Sequence, residues 1–493
     1  MNFRRIAAGL LTAALLCTTL STGVYASADT QMTKESTVDA DYFESMMKLI
    51  QQKYNGSVSN DDLMKGMVKG MFGSMDPYTI FLNQQEYNDF TGSLQGNVEG
   101  VGISVMKLDD YVDVTGVFAD SPAESAGMLP GDKIAEVNGE SVAGKKLEDV
   151  LAKVKGEEGT AVKIGVLRQG VKDKITFEMK RTQVDIPSVK YEIRGNIGYI
   201  QIDSFSSNTG AGVDKALEFF DSKSITRVIL DLRNNPGGYV DQAVQVAQHF
   251  VPKGLITKLD YKDEKLKDQT FYSSLEKIKY KLAVLVNEKS ASASEILTGA
   301  IKDTKAGIIV GTKTFGKAKV QNLTPILTPE AYERLNKGNT DKTVDAYQFY
   351  GLQDGDILGW SKITVGMYYT PNGDCIDLKG IEPDIKVASN NADGIQVNYL
   401  EPLNLTVKPE LGMQYYDVLT AECILKLLNY NVDTPDYTLD KKTFEAIKKF
   451  QRDNHLYSYG VLDLATQKLL NQKLSVLKQF DDMVYAKAAE SVK

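Results

Sequence analysis

The chain has 493 residues, too many for one hydrophobic core, so two to four domains are expected. Hydrophobic residues make up 42% and charged residues 25%, as in ordinary globular proteins, and a net charge of −8 leaves no basic excess for phosphates, which excludes nucleic acid as the main partner. The two histidines, His249 and His455, offer almost no material for a Ser-His-Asp triad or a histidine-rich zinc site.

Arg4 and Arg5 precede an apolar stretch from Ile6 to Leu20, and small residues follow around Val24-Tyr25-Ala26. This is the pattern of an export signal, assigned to residues 1–28. The apolar run falls short of the roughly 18 residues that span a bilayer, and an uncleaved anchor is the alternative. Beyond the signal only Cys375 and Cys423 remain, in different predicted domains, so hydrophobic cores rather than disulfides are expected to hold the fold.

Residues 29–90 are predicted helical. Tyr42-Phe43, Met46-Met47 and Ile50 recur at helical spacing, as do Leu63, Met67, Val68, Met71 and Phe72. Asp76-Pro77-Tyr78 breaks the pattern and Gln84 to Phe90 resumes it. The methionine stripe reads as core or interface packing rather than a cofactor site.

Residues 91–181 change character. Glu99-Gly100-Val101-Gly102-Ile103-Ser104-Val105 places two glycines before an apolar strand, and Ser121-Pro-Ala-Glu-Ser-Ala-Gly-Met-Leu-Pro-Gly-Asp-Lys-Ile134 follows a second strand. The run resembles a PDZ domain of the protease-associated type, a β-sandwich-like unit. Backbone N–H groups of Gly100, Val101, Gly102 and Ile103 would capture a C-terminal carboxylate there, while the peptide adds as a strand to the sheet edge.

Residues 182–394 read as α/β. The strand Arg227 to Leu232 closes in Arg233-Asn-Asn-Pro-Gly-Gly238, and a helix follows from Tyr239. This layout presents backbone amides at the carboxyl end of a sheet, which makes Gly237 and Gly238 oxyanion-hole candidates. The next unit runs from the buried strand Leu282–Val286 through Ser290-Ala-Ser292-Ala-Ser294 into a helix, where a serine nucleophile would meet free N–H groups and the positive dipole end. Spacing alone does not choose among the three serines. After Ile308 to Val310 comes the Gly-flanked Lys317. Lysine acts as a general base only when neutral, so its pKa must fall from about 10.4 toward about 7–8. Lys313 and Lys319 are expected to be solvated. Gly311 to Lys317 nearly fits the phosphate-binding pattern G-x-x-x-x-G-K-[ST], but Ala318 lacks the metal-binding hydroxyl and the following residues read as extended. Ser274-x-x-Lys277 fits a second serine-lysine motif without its partner motifs.

Residues 395–475 form a separate predicted unit, with Ala446-Ile-Lys-Lys-Phe-Gln451 and a later Tyr459-Gly460 to Leu470 segment. These resemble the three-helix peptidoglycan-binding domain, although Tyr459 stands at its usual aspartate. Residues 476–493 read as an amphipathic or frayed helical tail.

Taken together, Ser290 to Glu295, Gly311 to Gln321, Asp231 to Gly238, Tyr368 to Gly373 and Gly380 to Asp384 resemble the C-terminal processing peptidases, or tail-specific proteases. The resemblance implies a multidomain α+β and α/β protein with a ClpP/crotonase-like protease core. It implies Ser292 as nucleophile, Lys317 as base, Gln321 orienting the lysine, and the amides of Ala293 and Gly237 as the oxyanion hole. It also implies that Arg168 is linked to gating by the PDZ domain. No cofactor is called for. The implied partners are protein substrates with accessible C-termini, peptidoglycan and a second copy of the chain paired through the N-terminal helices. A catalytically idle PDZ and wall-binding scaffold is the competing expectation. Three features depart from the family: Lys289 replaces a glycine, Ala318 replaces a glycine, and the 322–361 insertion is longer than usual, as a lid or substrate-selecting loop would be.

Overall fold

The computed structural model describes residues 40–340, 342–387, 395–480 and 482–493, so the expected export signal lies outside the described residues. No helix among the described residues is long and apolar enough to cross a membrane.

The continuous apolar runs at 228–230 and 282–286 become neighbouring strands of a six-stranded sheet. Its order is Val189–Arg194, Ile197–Ile202, Arg227–Asp231, Lys281–Val286, Ile308–Gly311 and Ile385–Lys386. The first pair is antiparallel and the rest are parallel. A parallel sheet needs cover on both faces, and side chains of alternate residues go to opposite ones. Ile200, Val228, Leu230, Leu282 and Val284 join the helices Thr209–Ser222, Val240–Ala247 and Ala293–Asp303 in the main core. Tyr199, Ile229, Ala283, Leu285 and Val310 face the other way, onto Val484, Tyr485, Ala488 and Val492. Of the two expectations for the tail, an amphipathic helix is found and fraying is not: helix Met483–Ser491 is the cover of the second face.

A second, antiparallel sheet contains Ile80–Leu82, Ile357–Tyr369, Gly254–Tyr261 and Gln269–Ser273, with Lys319–Leu327 also paired to the long Ile357–Tyr369 strand. The 322–361 insertion is largely the far end of this hairpin. A helix at Pro329–Leu335 packs there in a small core of Leu327, Ala331 and Ala346, and Arg334 clasps Asp356 at 2.6 Å.

The predicted PDZ region contains one six-stranded sheet and a separate two-stranded pair, Asn97–Gly100 with Thr182–Asp185. Strand Ile103–Lys107 lies at the end of the sheet order, next to Val112–Val117 alone. Helices Tyr416–Leu427, Lys441–Asp453 and Leu464–Phe480 enclose a core of their own. This unit touches the PDZ region directly: Gln169 donates to the Lys408 carbonyl and accepts from its N–H, at 3.2 and 2.8 Å. The N-terminal helices Ala40–Lys53 and Asn60–Gly73 differ from all of these, because Tyr42, Phe43, Met46, Leu49, Ile50 and Met71 are exposed. Cys375 and Cys423 are both free thiols.

Candidate active site

The three alternating serines have different surroundings. Ser290 is fully buried and its hydroxyl donates to the Leu232 carbonyl at 2.8 Å; Ser294 is fully buried and donates to the Asn235 carbonyl at 3.0 Å. Ser292 alone of the three is partly exposed. It sits between strand Lys281–Val286 and helix Ala293–Asp303 at φ 57°, ψ −117°, a backbone conformation that costs a non-glycine residue about 1–3 kcal/mol. A sharp strand-to-helix turn of this kind lifts a hydroxyl clear of the sheet.

The strained turn is held by the Arg233–Gly238 turn beside it. Asn234 and Asn287 exchange hydrogen bonds at 2.9 and 2.7 Å, and Ala291 N–H donates to the Asn235 carbonyl at 3.0 Å. Gly237, at φ 105°, lies so close that an added Cβ would meet Ser292 Cβ at 2.7 Å and Ala293 N at 3.0 Å. Only glycine fits there. The Gly237 N–H donates to Asn235 Oδ1 at 2.9 Å, so one of the two expected oxyanion donors is engaged within its own turn. Ala293 opens the helix, where no intrahelical carbonyl is available to its N–H.

Glu295 and Tyr368 join the serine turn to the lysine segment. Glu295 is fully buried, and its Oε2 accepts from Ser292 N–H at 2.9 Å and from Lys317 N–H at 2.8 Å. Its Oε1 accepts from Thr314 Oγ1 at 2.6 Å and Gly316 N–H at 2.7 Å. Burial pushes the Glu295 pKa up, and these four donors oppose it. On the other side, Tyr368 Oη stands 3.1 Å from the Ser292 carbonyl and 2.5 Å from the Lys317 carbonyl. Burial first, and the Glu295 charge second, raise the Tyr368 pKa well above normal, so the phenol keeps its proton as a donor. The backbones of Ser292 and Lys317 thus converge on one carboxylate oxygen and one hydroxyl, although 25 positions apart in sequence.

Lys317 is half-buried, with Nζ 4.6 Å from the centre of the Tyr78 ring, a cation–π distance. Lys313 is exposed as expected, but Lys319 is not fully solvated: it is half-buried and 4.0 Å from Asp76. Gln321 donates its amide to Thr364 Oγ1 at 3.2 Å across the paired strands. Lys289 is exposed, which explains why a charge is tolerated so near the serine turn. Ala318 is buried, with its N–H on Asp377 Oδ1 at 3.1 Å.

Sequence reading passed over three groups at this site. Glu295 carried a signal, since serine followed three residues later by glutamate is the spacing of a capping box. Tyr368 lay in a quoted motif without a role, and Tyr78 was read only as part of a helix break.

In the PDZ region, Gly102 has φ 81° and Ser121 lies against it, while the Val101 and Gly102 carbonyls accept from Ala123 and Phe118 N–H. Val101 is buried, Gly100 ends its strand opposite Thr182, and Ile103 opens the end strand opposite Val117. Arg168 turns back onto its own domain: Nε and Nη2 reach the two oxygens of buried Asp132 at 2.6 and 2.7 Å, and Nη2 donates to the Gly127 carbonyl at 2.9 Å.

Residues 196–387 match Peptidase family S41, residues 114–168 match a PDZ domain and residues 414–470 match a peptidoglycan binding domain. A "Probable CtpA-like serine protease" of Staphylococcus epidermidis is 32% identical over 476 residues, covering 96% of this chain and 90% of the relative. This chain belongs to the carboxy-terminal processing proteases of family S41. It is a serine-type peptidase with a PDZ domain and a domain of the peptidoglycan-binding type. The carboxy-terminal processing protease CtpB of Bacillus subtilis is 31% identical over 459 residues, 92% of this chain and 88% of that one. The solved structure of a photosystem II D1 C-terminal processing protease is 27% identical, covering 70% of this chain and 86% of that chain with a TM-score of 0.38.

Proposed function

We propose that this peptidase is an exported, ATP-independent endopeptidase with a Ser-Lys catalytic site, cleaving proteins whose C-terminal end its PDZ domain has bound. The observation that carries this reading is the convergence of Ser292 and Lys317 on Glu295 Oε2 and Tyr368 Oη, with Ser292 the partly exposed member of its serine triplet. Ser292 Oγ attacks the scissile carbonyl while its proton passes to neutral Lys317 Nζ. The oxyanion is held by the Ala293 N–H and by Gly237 once its N–H leaves Asn235 Oδ1. Lys317 then protonates the departing amine, the acyl-enzyme forms on Ser292, and water deacylates it with Lys317 again as base. Gln321 orients the lysine from the following strand. The protease core is of the ClpP/crotonase type.

The end strand Ile103–Lys107 and the Gly100–Ile103 loop support peptide addition at the PDZ domain, giving main-chain bonds for affinity and a carboxylate site for direction. Gating through Arg168 would require it to leave Asp132. The leader-like Arg4 to Ala26 segment and the three-helix C-terminal unit together favour work at the cell envelope, tested by recovery of the protein with the cell-wall fraction. The exposed apolar residues of the N-terminal helices favour a homodimer.

Replacing Ser292 or Lys317 by alanine is expected to abolish cleavage of an unstructured protein while thermal unfolding stays cooperative. Turnover like the wild type by either variant would remove the assignment.

A further inference from the structure

The segment that follows the C-terminal unit reaches back to the serine site. Asp482 lies between helices Leu464–Phe480 and Met483–Ser491 and is 5% exposed. Its carboxylate meets Arg233 with two parallel contacts, Nη1 to Oδ1 at 3.0 Å and Nη2 to Oδ2 at 2.8 Å. Arg233, 6% exposed, also donates from Nε to both oxygens of Asp231, at 2.9 and 3.1 Å, and from Nη2 to Oδ2 at 2.5 Å. Tyr199 donates to the same Asp231 oxygen at 2.7 Å. One guanidinium is therefore fixed between two buried carboxylates, a geometry that its planar fork of donors suits.

The residues flanking Arg233 hold the serine turn. Leu232 accepts from Ser290, Asn234 is paired with Asn287, and Asn235 accepts from Ala291 and Ser294. Asn235, two residues on from Arg233, accepts from Ala291 N–H at its carbonyl and from Gly237 N–H at Oδ1, on either side of the Ser292 contact. Asp231 holds the Nε side of the guanidinium and Asp482 takes its Nη1–Nη2 end, the edge that Asp231 leaves open. Asp482 also lies outside residues 196–387, the part matched by the peptidase family.

We propose that Asp482 is a positioning residue for the peptidase reaction, acting through Arg233 to fix the Arg233–Gly238 turn against the Ser292 loop. The C-terminal segment is then part of the working protease, and the wall-binding-type unit that leads into it is mechanically joined to the site. The inference rests on Ser292 being the nucleophile.

Asp482→Asn isolates the charge. Asp482 Oδ1 accepts from Val484 and Tyr485 N–H, both at 3.1 Å, and asparagine caps a helix as well as aspartate. In the full chain, kcat on an unstructured protein is expected to fall on the order of tenfold with KM changed less than about twofold, because a displaced oxyanion turn misplaces reacting groups without altering PDZ binding. Acylation of Ser292 by a fluorophosphonate falls in parallel, and Asp482→Glu restores most of the rate. Asp482→Asn adds nothing to Arg233→Gln, since both act on one contact. A wild-type kcat in Asp482→Asn overturns the proposal. So does loss of its cooperative unfolding, which would make Asp482 a prop of the fold rather than of the turn. Wild-type protein that cleaves substrate without labelling at Ser292 would instead remove the nucleophile assignment, and this inference with it.

Discussion

The two ends of the described chain carry similar patterns with opposite outcomes. Helices Ala40–Lys53 and Asn60–Gly73 and helix Met483–Ser491 all repeat apolar residues at helical spacing. The first pair leaves Tyr42, Leu49 and Met71 more than half exposed, whereas Val484, Tyr485 and Ala488 are buried against the central sheet. An amphipathic helix records that a surface will be covered, not by what. At the C-terminus the cover is intramolecular, and it also brings Asp482 to Arg233, which opens the turn beside Ser292.

The largest effect that would break this contrast is at Tyr485, 5% exposed and 5.9 Å from the Tyr199 ring. Tyr485→Ala is expected to cost about 3 kcal/mol in denaturant unfolding, the scale for emptying a buried aromatic site. Ile50→Ser, on the exposed helix, should change stability by less than about 0.5 kcal/mol while shifting the protein toward monomer in sedimentation. Equal destabilisation by the two changes, or an unaltered assembly state in Ile50→Ser, would erase the distinction drawn between the ends.

A smaller effect separates the ends by pH. The unit leading into the last helix buries Glu422, whose pKa is pushed up to about 7 by burial and by nearby Asp436 and Asp433, against donors from Thr443 and the Asp436 N–H. Asp417 is likewise raised to about 6 by burial. A carboxyl group with a raised folded pKa binds its proton more tightly when folded, so its contribution is fully present below the unfolded pKa and is lost as pH rises through the folded value. Thermal stability of this unit should therefore decline from about pH 5 to pH 8, and Glu422→Gln should flatten the decline. A steeper decline in Glu422→Gln would contradict the assignment.

Much of the site was legible because its motifs are local. The strand, serine triplet and helix occupy consecutive residues, and Ser292-x-x-Glu295 already spells a cap. The different surroundings of the three serines were not available from spacing, because Ser290 and Ser294 donate to the carbonyls of Leu232 and Asn235, which are distant in sequence. Lys289 drew attention as a charge beside the motif and turns out to be harmless for a simple reason: it is exposed. The engaged Gly237 N–H was invisible, since it depends on how Asn235 folds back within its own turn. Least legible was Asp482, whose partner Arg233 lies 249 positions earlier. No periodicity announces such a pair, and the amphipathic pattern of the last residues does not say which surface they cover.

The central claim is that one serine of three attacks and that Lys317 activates it. Labelling the intact protein with a fluorophosphonate and mapping the adduct by peptide mass spectrometry tests both parts at once. The account predicts a single adduct on Ser292 in the wild type and none in Lys317→Ala; an adduct on Ser290 or Ser294, or undiminished labelling without Lys317, would contradict it.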